Sequence, residues 1–327
     1  KVNNLQKEAR EKYKFEGVVG NSPVMMRLLN ILMELINSES NVLITGESGT
    51  GKELVAHAIH SNSRRSDKPF VVVNCGAVPE NLQESELFGH VMGSFTGAVK
   101  DKNGIFLEAQ GGTLFLDEIG ETSPSTQVKL LRFLQNGEIR KVGDNKPIYL
   151  DIRIIVATNK DLDEATKNGS FRKDLFYRLN VIRIHLPSLR ERKEDIPLLI
   201  NYFVNIYANK LRKKPPEISG DAMELLLNYP WPGNVRELEN VIERSVTLVK
   251  GYMITVADLA LQTVSPADTM NVMIETRGIR AALAQEERKT ILESLRRHAG
   301  NRKQVATNLG ISTTTLWRKM KEYQIVS

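Results

Sequence analysis

From Gly17 to about Leu186, two kinds of apolar spacing alternate along the chain. Short continuous runs, NVLIT at 41–45, FVVVN at 70–74, TLFLD at 113–117 and IRIIVATN at 152–159, are bounded by turn residues and separated by helical patterns. Runs without a polar face predict strands buried on both sides, and helices between them predict crossovers, so this part reads as a parallel sheet covered by helices. From Pro187 to about Leu261 the spacing is helical, as in DIPLLINYFVNIY, DAMELLLNY and WPGNVRELENVIERSV. A small all-α unit is expected there. Residues 262–285 hold Pro266 and Gly278 with weak periodicity, which predicts a linker with one short helix. The polar, helix-prone KVNNLQKEAREKYKFE at 1–16 fits either a linker helix leading from an upstream element or a solvated N-terminal helix. The expected divisions are therefore 1–16, 17–187, 188–261, 262–284 and 285–327, with no tandem repeat or low-complexity tract.

Length and composition sharpen this outline. A chain of 327 residues with 41% apolar content is too long for one growing core and apolar enough for two or three. Its single cysteine, Cys75, excludes an intrachain disulfide, and the absence of any eighteen-residue apolar run or signal-peptide pattern predicts a soluble cytoplasmic protein with no membrane partner. The formal charge of +6 is concentrated: residues 285–327 carry nine Lys or Arg against four Glu. A basic partner surface at the C-terminal end follows.

The chemistry begins at Gly46, Glu47, Ser48, Gly49, Thr50, Gly51, Lys52 and Glu53, which follow the apolar run NVLIT and precede the helical ELVAHAIH. In that setting the glycines let backbone amides converge on phosphate oxygens at a helix N-terminus, and Lys52 adds a point charge. Glu53 stands where Ser or Thr usually follows the lysine, so Mg²⁺ must rely on Asp117, phosphates and water. The run GGTLFLDEIG delivers two carboxylates to a strand end. Asp117 suits the metal, and Glu118 suits orienting and polarising a water. Thr158 and Asn159 close another buried run, from which an amide can sense an outermost phosphate. Between these pieces lies the turn Gly93, Ser94, Phe95, Thr96, Gly97 and Ala98. A lone aromatic among small residues on a glycine-flanked turn has nothing of its own to bury against, so it should meet a partner.

The C-terminal pattern is equally informative. QEERKTILESLRRH predicts a helix with Ile291, Leu292 and Leu295 inward, a second runs from about Arg302 to Leu309 on Val305, Ala306 and Leu309, and Gly310 ends it. Ile311 plugs the corner and Ser312 caps a third helix through about Tyr323, with Leu316 and Met320 inward. Two short helices across a Gly turn make a helix-turn-helix. Thr313, Thr314 and Arg318 are placed for base edges, and Arg302, Lys303, Lys319 and Lys321 for phosphates. Such readers work as two-fold dimers on double-stranded DNA, and ILESL is the expected dimer surface.

Other residues read more plainly. No His lies near Cys75 in sequence, so it is expected as a buried structural thiol. His57 and His60 lack a third metal ligand, His90, His185 and His298 are isolated, and Trp231 before Pro232 reads as packing.

With these motifs in order, the chain resembles the AAA+ bacterial enhancer-binding proteins, the NtrC-like ATPase activators of sigma-54 RNA polymerase. The likeness spans about Gly17 to Tyr323 and rests on GESGTGKE with its Glu53, ESELFGH, GSFTGA, GGTLFLDE, FRKDLFYRLNV, LPSLRERKEDI and WPGNVRELEN. It implies an α/β fold, an AAA+ P-loop ATPase with a parallel sheet and helical lid, followed by a small all-α domain similar to the Fis-type DNA reader. It further implies ATP and Mg²⁺ as cofactors, Asn74 as a switch on Glu118, Arg172 and Arg178 as fingers reaching a neighbouring subunit's phosphate, and Arg236 as a lid-side sensor. Val18, Val19 and Gly20 match the stretch that packs on adenine. By the same resemblance the 93–98 loop contacts sigma-54 polymerase, enhancer DNA is bound by the tail, and the active form is a hexameric or heptameric ring. Ser94 departs from the usual Ala, and HVM before the loop lacks the acidic and basic residues often found there.

Overall fold

Five strands build one all-parallel sheet: β1 (Val42–Thr45), β2 (Phe70–Asn74), β3 (Thr113–Asp117), β4 (Arg153–Thr158) and β5 (Ile182–His185), in the order β2-β3-β4-β1-β5. This computed structural model describes residues 15, 17–259, 261, 294–295, 298, 301–308, 316 and 320, the side chains of 303 and 307 excepted. Contacts divide the chain into two units, Lys1–Ala260 and Leu261–Ser327.

Strand periodicity sorts the core. Leu43, Leu114, Leu116, Ile154 and Val156 join one buried cluster with Leu87, Phe88, Leu130 and Phe133. Their alternates Val42, Ile44, Phe115, Ile155 and Ala157 join a second with Leu28, Leu32, Val55 and Ile59, so both faces are covered. The second cluster rests on two helices. Pro23–Leu35 starts at Ser22, whose side chain accepts from the Met25 amide, with Pro at the first turn, and Lys52–Ser61 rises directly from the phosphate loop. The four strands expected from apolar runs are present. Edge strand β5 is an addition: only Ile182 and Ile184 face inward while Arg183 and His185 are exposed, too little contrast for a sequence signal.

Parallel register brings Asn74 beside Asp117, and Thr45 beside Thr158, at one edge of the sheet. Carboxyl ends of parallel strands are where ligands bind in such folds. Above that edge stand the helices Ile196–Lys210, Gly220–Asn228 and Asn234–Leu248, joined by a two-stranded parallel pair, Glu217–Ile218 with Met253–Ile254, that the all-helical expectation lacked. Trp231 is fully buried here, and its indole N–H donates to the Leu226 carbonyl at 2.9 Å. It packs as expected.

In the C-terminal unit the helix Arg302–Asn308 starts after Asn301, whose side-chain oxygen accepts from the Gln304 amide at 3.3 Å. Val305, Ala306, Leu316 and Met320 are buried together with Leu295 against them, part of the inward set expected of a helix-turn-helix, of which Ile291 and Leu292 lie outside the described residues. Leu309, Gly310, Ile311 and Ser312 lie outside the described residues, as do 262–284 and 1–14. Among the described residues no helix is long and apolar enough to cross a membrane.

Candidate functional site

Two adjoining cavities open where the sheet edge meets the lid. The larger, about 720 Å³, is lined by Ser48, Gly49, Gly51, Lys52 and Glu53 from the phosphate loop, Asn74 from β2, Asp117 and Glu118 from β3, and Arg236 from the lid. The smaller, about 220 Å³ and mostly apolar, is lined by Val18, Val19, Met25, Leu54, Leu186 and Leu199 among others. An apolar slot beside a larger chamber lined by polar and charged side chains has the division of a nucleotide site.

The loop's glycines are dictated by geometry. Gly49 has φ +77°, and a Cβ there would stand 2.3 Å from the Gly233 carbonyl oxygen of the lid. Gly51, at φ +100°, turns the chain into the helix Lys52–Ser61 so that its first amides face the chamber. Lys52 is buried and donates to the Gly46 and Glu47 carbonyls at 3.1 and 3.2 Å. Thr50 Oγ1 donates to the Glu47 carbonyl at 2.8 Å, which closes the loop on itself.

Glu47 points away from the chamber, toward the lid. It forms a two-pronged ion pair with Arg190 and accepts from the Asn234 side-chain Nδ2 at 3.1 Å. These two donors hold its carboxyl below the usual carboxylate range, the Arg190 contact contributing most. Asn234, completely buried with φ +54°, also donates to the Ser48 carbonyl at 3.0 Å and accepts from the Leu189 amide at 2.8 Å. One side chain thus ties the phosphate loop, the segment leaving the sheet domain and the lid. Beside it, the Arg236 amide donates to the Gly49 carbonyl at 3.2 Å and its guanidinium to Ser48 Oγ at 3.4 Å.

The slot is anchored from below. Buried Asp195 accepts from the Asn21 and Ser22 amides and from Ser22 Oγ, and a Cβ on Gly20 would crowd Met25 at 2.8 Å and Asp195 at 3.1 Å. Arg192 reaches the Thr50 carbonyl at 3.3 Å, and burial lowers its guanidinium pKa. Neither Asp195 nor Arg192 stood out in the sequence, although the charged run RERKED contains both.

Asp117 and Glu118 leave β3 in different backbone conformations. Glu118 sits at φ +52°, a strained left-handed geometry for a non-glycine residue, and its amide donates to Asp117 Oδ1 at 2.9 Å. Its carboxylate accepts from the Asn159 amide at 3.3 Å. Asn74 is occupied otherwise: its side-chain oxygen caps the 3₁₀ turn Cys75–Ala77 by accepting from Gly76 and Ala77 at 2.9 and 3.1 Å. Among the described residues no hydrogen bond joins Asn74 to Glu118. Thr158 is fully buried and accepts from the Lys160 amide at 3.0 Å. Thr158 and Asn159 therefore sit beside Glu118 and do not line the chamber.

Arg172 and Arg178 are exposed on and before the helix Lys173–Leu179 and line neither cavity. Arg172 pairs with Asp174 at 2.7 Å, a partner that raises its pKa. Cys75 is buried, and its thiol is pushed up to about 12 by burial and by Asp117 and Glu118, which suits an inert side chain. His60 is buried between Phe70 and Thr113, and among the described residues no group of three His, Cys, Asp or Glu could hold a metal.

The 93–98 loop stands on a short antiparallel stem, Gly89–His90 with Lys102–Asn103. Gly93 and Gly97 turn at φ +80° and +106°, and the Gly93 amide donates to the Ala98 carbonyl at 2.8 Å. Phe95 corrects the expectation that it has nothing to bury against. Its ring, 39% exposed, stands edge-on to His90 at 5.0 Å, and buried His90 is held by Ser85 at 2.7 Å. Thr96 is exposed, whereas Ser94 Oγ is buried with no hydrogen-bond partner, against the backbone near Gly143.

For the candidate DNA contacts, Arg302 is exposed at the start of its helix and the Lys303 backbone is helical. The Lys303 side chain, Thr313, Thr314, Arg318, Lys319 and Lys321 lie outside the described residues.

Comparison with known proteins agrees with this geometry. Residues 18–185 match the model of the sigma-54 interaction domain, 190–273 that of the AAA+ ATPase lid domain, and 272–323 that of the Fis family of bacterial regulatory proteins. The transcriptional regulatory protein ZraR of Salmonella typhimurium is 49% identical over 304 residues, covering 93% of this chain and 68% of its own. The regulatory protein AtoC of Escherichia coli is 45% identical over 328 residues, covering 99% and 71%. Crystal structures of NtrX from Brucella abortus in complex with ADP and with ATP match with TM-scores of 0.70 and 0.69 at 35% and 34% identity, covering 99% of this chain and 72% and 73% of theirs. The chain belongs to the sigma-54-dependent enhancer-binding activators.

Proposed function

We propose that this protein binds double-stranded enhancer DNA through its C-terminal unit, closes into a hexameric or heptameric ring in the cytoplasm, and hydrolyses ATP to remodel the closed promoter complex of sigma-54 polymerase. The observation that carries the reading is the convergence of Lys52, Asp117, Glu118 and Arg236 on one chamber beside an apolar slot. Residues separated by almost two hundred positions meet where a triphosphate fits.

The donor set suits Mg²⁺ held jointly with phosphates and water, since Asp117 offers a hard oxygen ligand while no protein-only cluster of three exists among the described residues. The ion would supply charge neutralisation at the phosphate oxygens. Lys52, released from the Gly46 and Glu47 carbonyls, takes up phosphate charge, and loop amides orient the chain of phosphates. Glu118, steadied by the Asn159 amide, accepts a hydrogen bond from the attacking water and aims it at the terminal phosphorus. Asn74, one strand away, is within the same chamber to draw Glu118 aside when the nucleotide state changes. Coupling runs along this element: β2 leads through Asn74 into the helix Glu80–Phe88, which ends at the stem of the 93–98 loop. A change at the phosphate end therefore has a short rigid path to Phe95 and Thr96.

Arg172 and Arg178 fit a role between subunits because both face outward, away from their own chamber. Mixing tests this. Arg172→Ala or Arg178→Ala subunits keep an intact chamber, and Lys52→Ala subunits keep the arginines, so hydrolysis lost in each alone should partly return in mixtures. Absence of rescue at every ratio would remove the intersubunit assignment.

A further inference from the structure

The apolar slot and the phosphate chamber share five lining residues: Gly17, Gly51, Leu54, Val235 and Glu239. A nucleotide with its base in one and its phosphates in the other must lay its sugar across this shared rim. Glu239 is the only member of the five with a polar side chain, and a carboxylate is an acceptor without a donor. Ribose presents the complementary pair, two vicinal hydroxyl donors.

Along the helix Asn234–Leu248 the order is consistent. Arg236 lines only the phosphate chamber, while Glu239, three residues on and on the same helix face, borders both cavities. Glu239 is also aimed. The Tyr207 hydroxyl, on the neighbouring lid helix, donates to Glu239 Oε1 at 2.8 Å, and Tyr207 is 6% exposed. Burial and the adjacent carboxylates raise the Tyr207 pKa, so the phenol stays a donor. Among the described residues no Lys or Arg is paired with Glu239.

We propose that Glu239, oriented by Tyr207, reads the ribose of the bound nucleotide by accepting hydrogen bonds from its 2′ and 3′ hydroxyls. The site thereby prefers ribonucleotides over deoxyribonucleotides. This rests on the ATP reading above and adds the residue that recognises the sugar.

The test is calorimetric titration of the full chain with ADP, 2′-deoxyADP and 3′-deoxyADP in the presence of Mg²⁺, none of which is hydrolysed. Loss of a hydrogen bond to a charged group weakens binding about tenfold or more, so ADP should bind the wild type at least that much more tightly than one or both analogues. In Glu239→Ala the preference should collapse to within about twofold, through weaker ADP binding and little change for the disfavoured analogue. Glu239→Gln, which keeps an acceptor oxygen, should retain part of it, and Tyr207→Phe should reduce it by freeing the carboxylate. A merely structural role would weaken all three nucleotides alike, and that result overturns the proposal. So does a wild type that binds all three equally. Failure of the wild type to bind any of them would instead overturn the ATP reading itself.

Discussion

Replacing Asn234 should loosen the lid from the phosphate loop by an amount the structure allows to be worked out. The side chain makes three hydrogen bonds, to the Leu189 amide, the Ser48 carbonyl and Glu47, from a fully buried position. Asn234→Ala removes all three and leaves the buried Leu189 amide without a partner, which costs about 1–3 kcal/mol for that group, and about 1 kcal/mol for each remaining bond. The backbone adds to this. At φ +54° Asn tolerates the left-handed region, whereas Ala incurs roughly 1–2 kcal/mol there. The combined loss is roughly 4–7 kcal/mol for the alanine variant, and Asn234→Gly should be milder by about 1 kcal/mol because it shares the lost bonds but not the strain. Urea denaturation of the two variants measures the difference, and nucleotide titration should show weaker binding in both. If alanine proved as stable as glycine, or if both lay within about 0.5 kcal/mol of wild type, the claim that this side chain docks the lid would be wrong.

Three further outcomes follow. Glu118→Gln should bind ATP normally while hydrolysis falls by about 10² or more, and near-normal turnover would contradict its role toward water. Thr96→Ala should hydrolyse ATP yet fail to open promoters; preserved transcription would defeat the loop assignment. With the Cys75 thiol pushed up to about 12 in the folded state from an unfolded value of 9.0, the unfolded chain loses its proton first as pH rises. Stability should therefore fall between about pH 9 and pH 12 more steeply in wild type than in Cys75→Ala, and alkylation at pH 8 should proceed only on unfolding.

Most of the sheet was legible because burial on both faces writes unbroken apolar runs, as in VLIT and RIIVAT, and the phosphate loop was legible because its glycines have no substitute. What escaped detection has contact across the fold as its cause. Asn234 and Glu239 lie in WPGNVRELEN beside Arg236, yet their partners, Glu47, Leu189 and Tyr207, are distant in sequence, and no local spacing encodes such pairings. Edge strand β5 was missed because one solvated face leaves only two apolar residues. Phe95 looked unpartnered because His90 reaches it only through the fold of the hairpin. The intersubunit role of Arg172 and Arg178 came from resemblance alone, since an exposed arginine beside an aspartate has the same local pattern as any surface ion pair.

On the proposed mechanism, hydrolysis in the chamber drives the 93–98 loop against sigma-54 polymerase. Open-complex formation by that polymerase on a supercoiled promoter, with this protein and either ATP or a non-hydrolysable analogue, tests it most directly. Promoter opening should occur with ATP alone and vanish in Glu118→Gln. Equal opening with the analogue, or with the glutamine variant, would show that hydrolysis does not drive the loop.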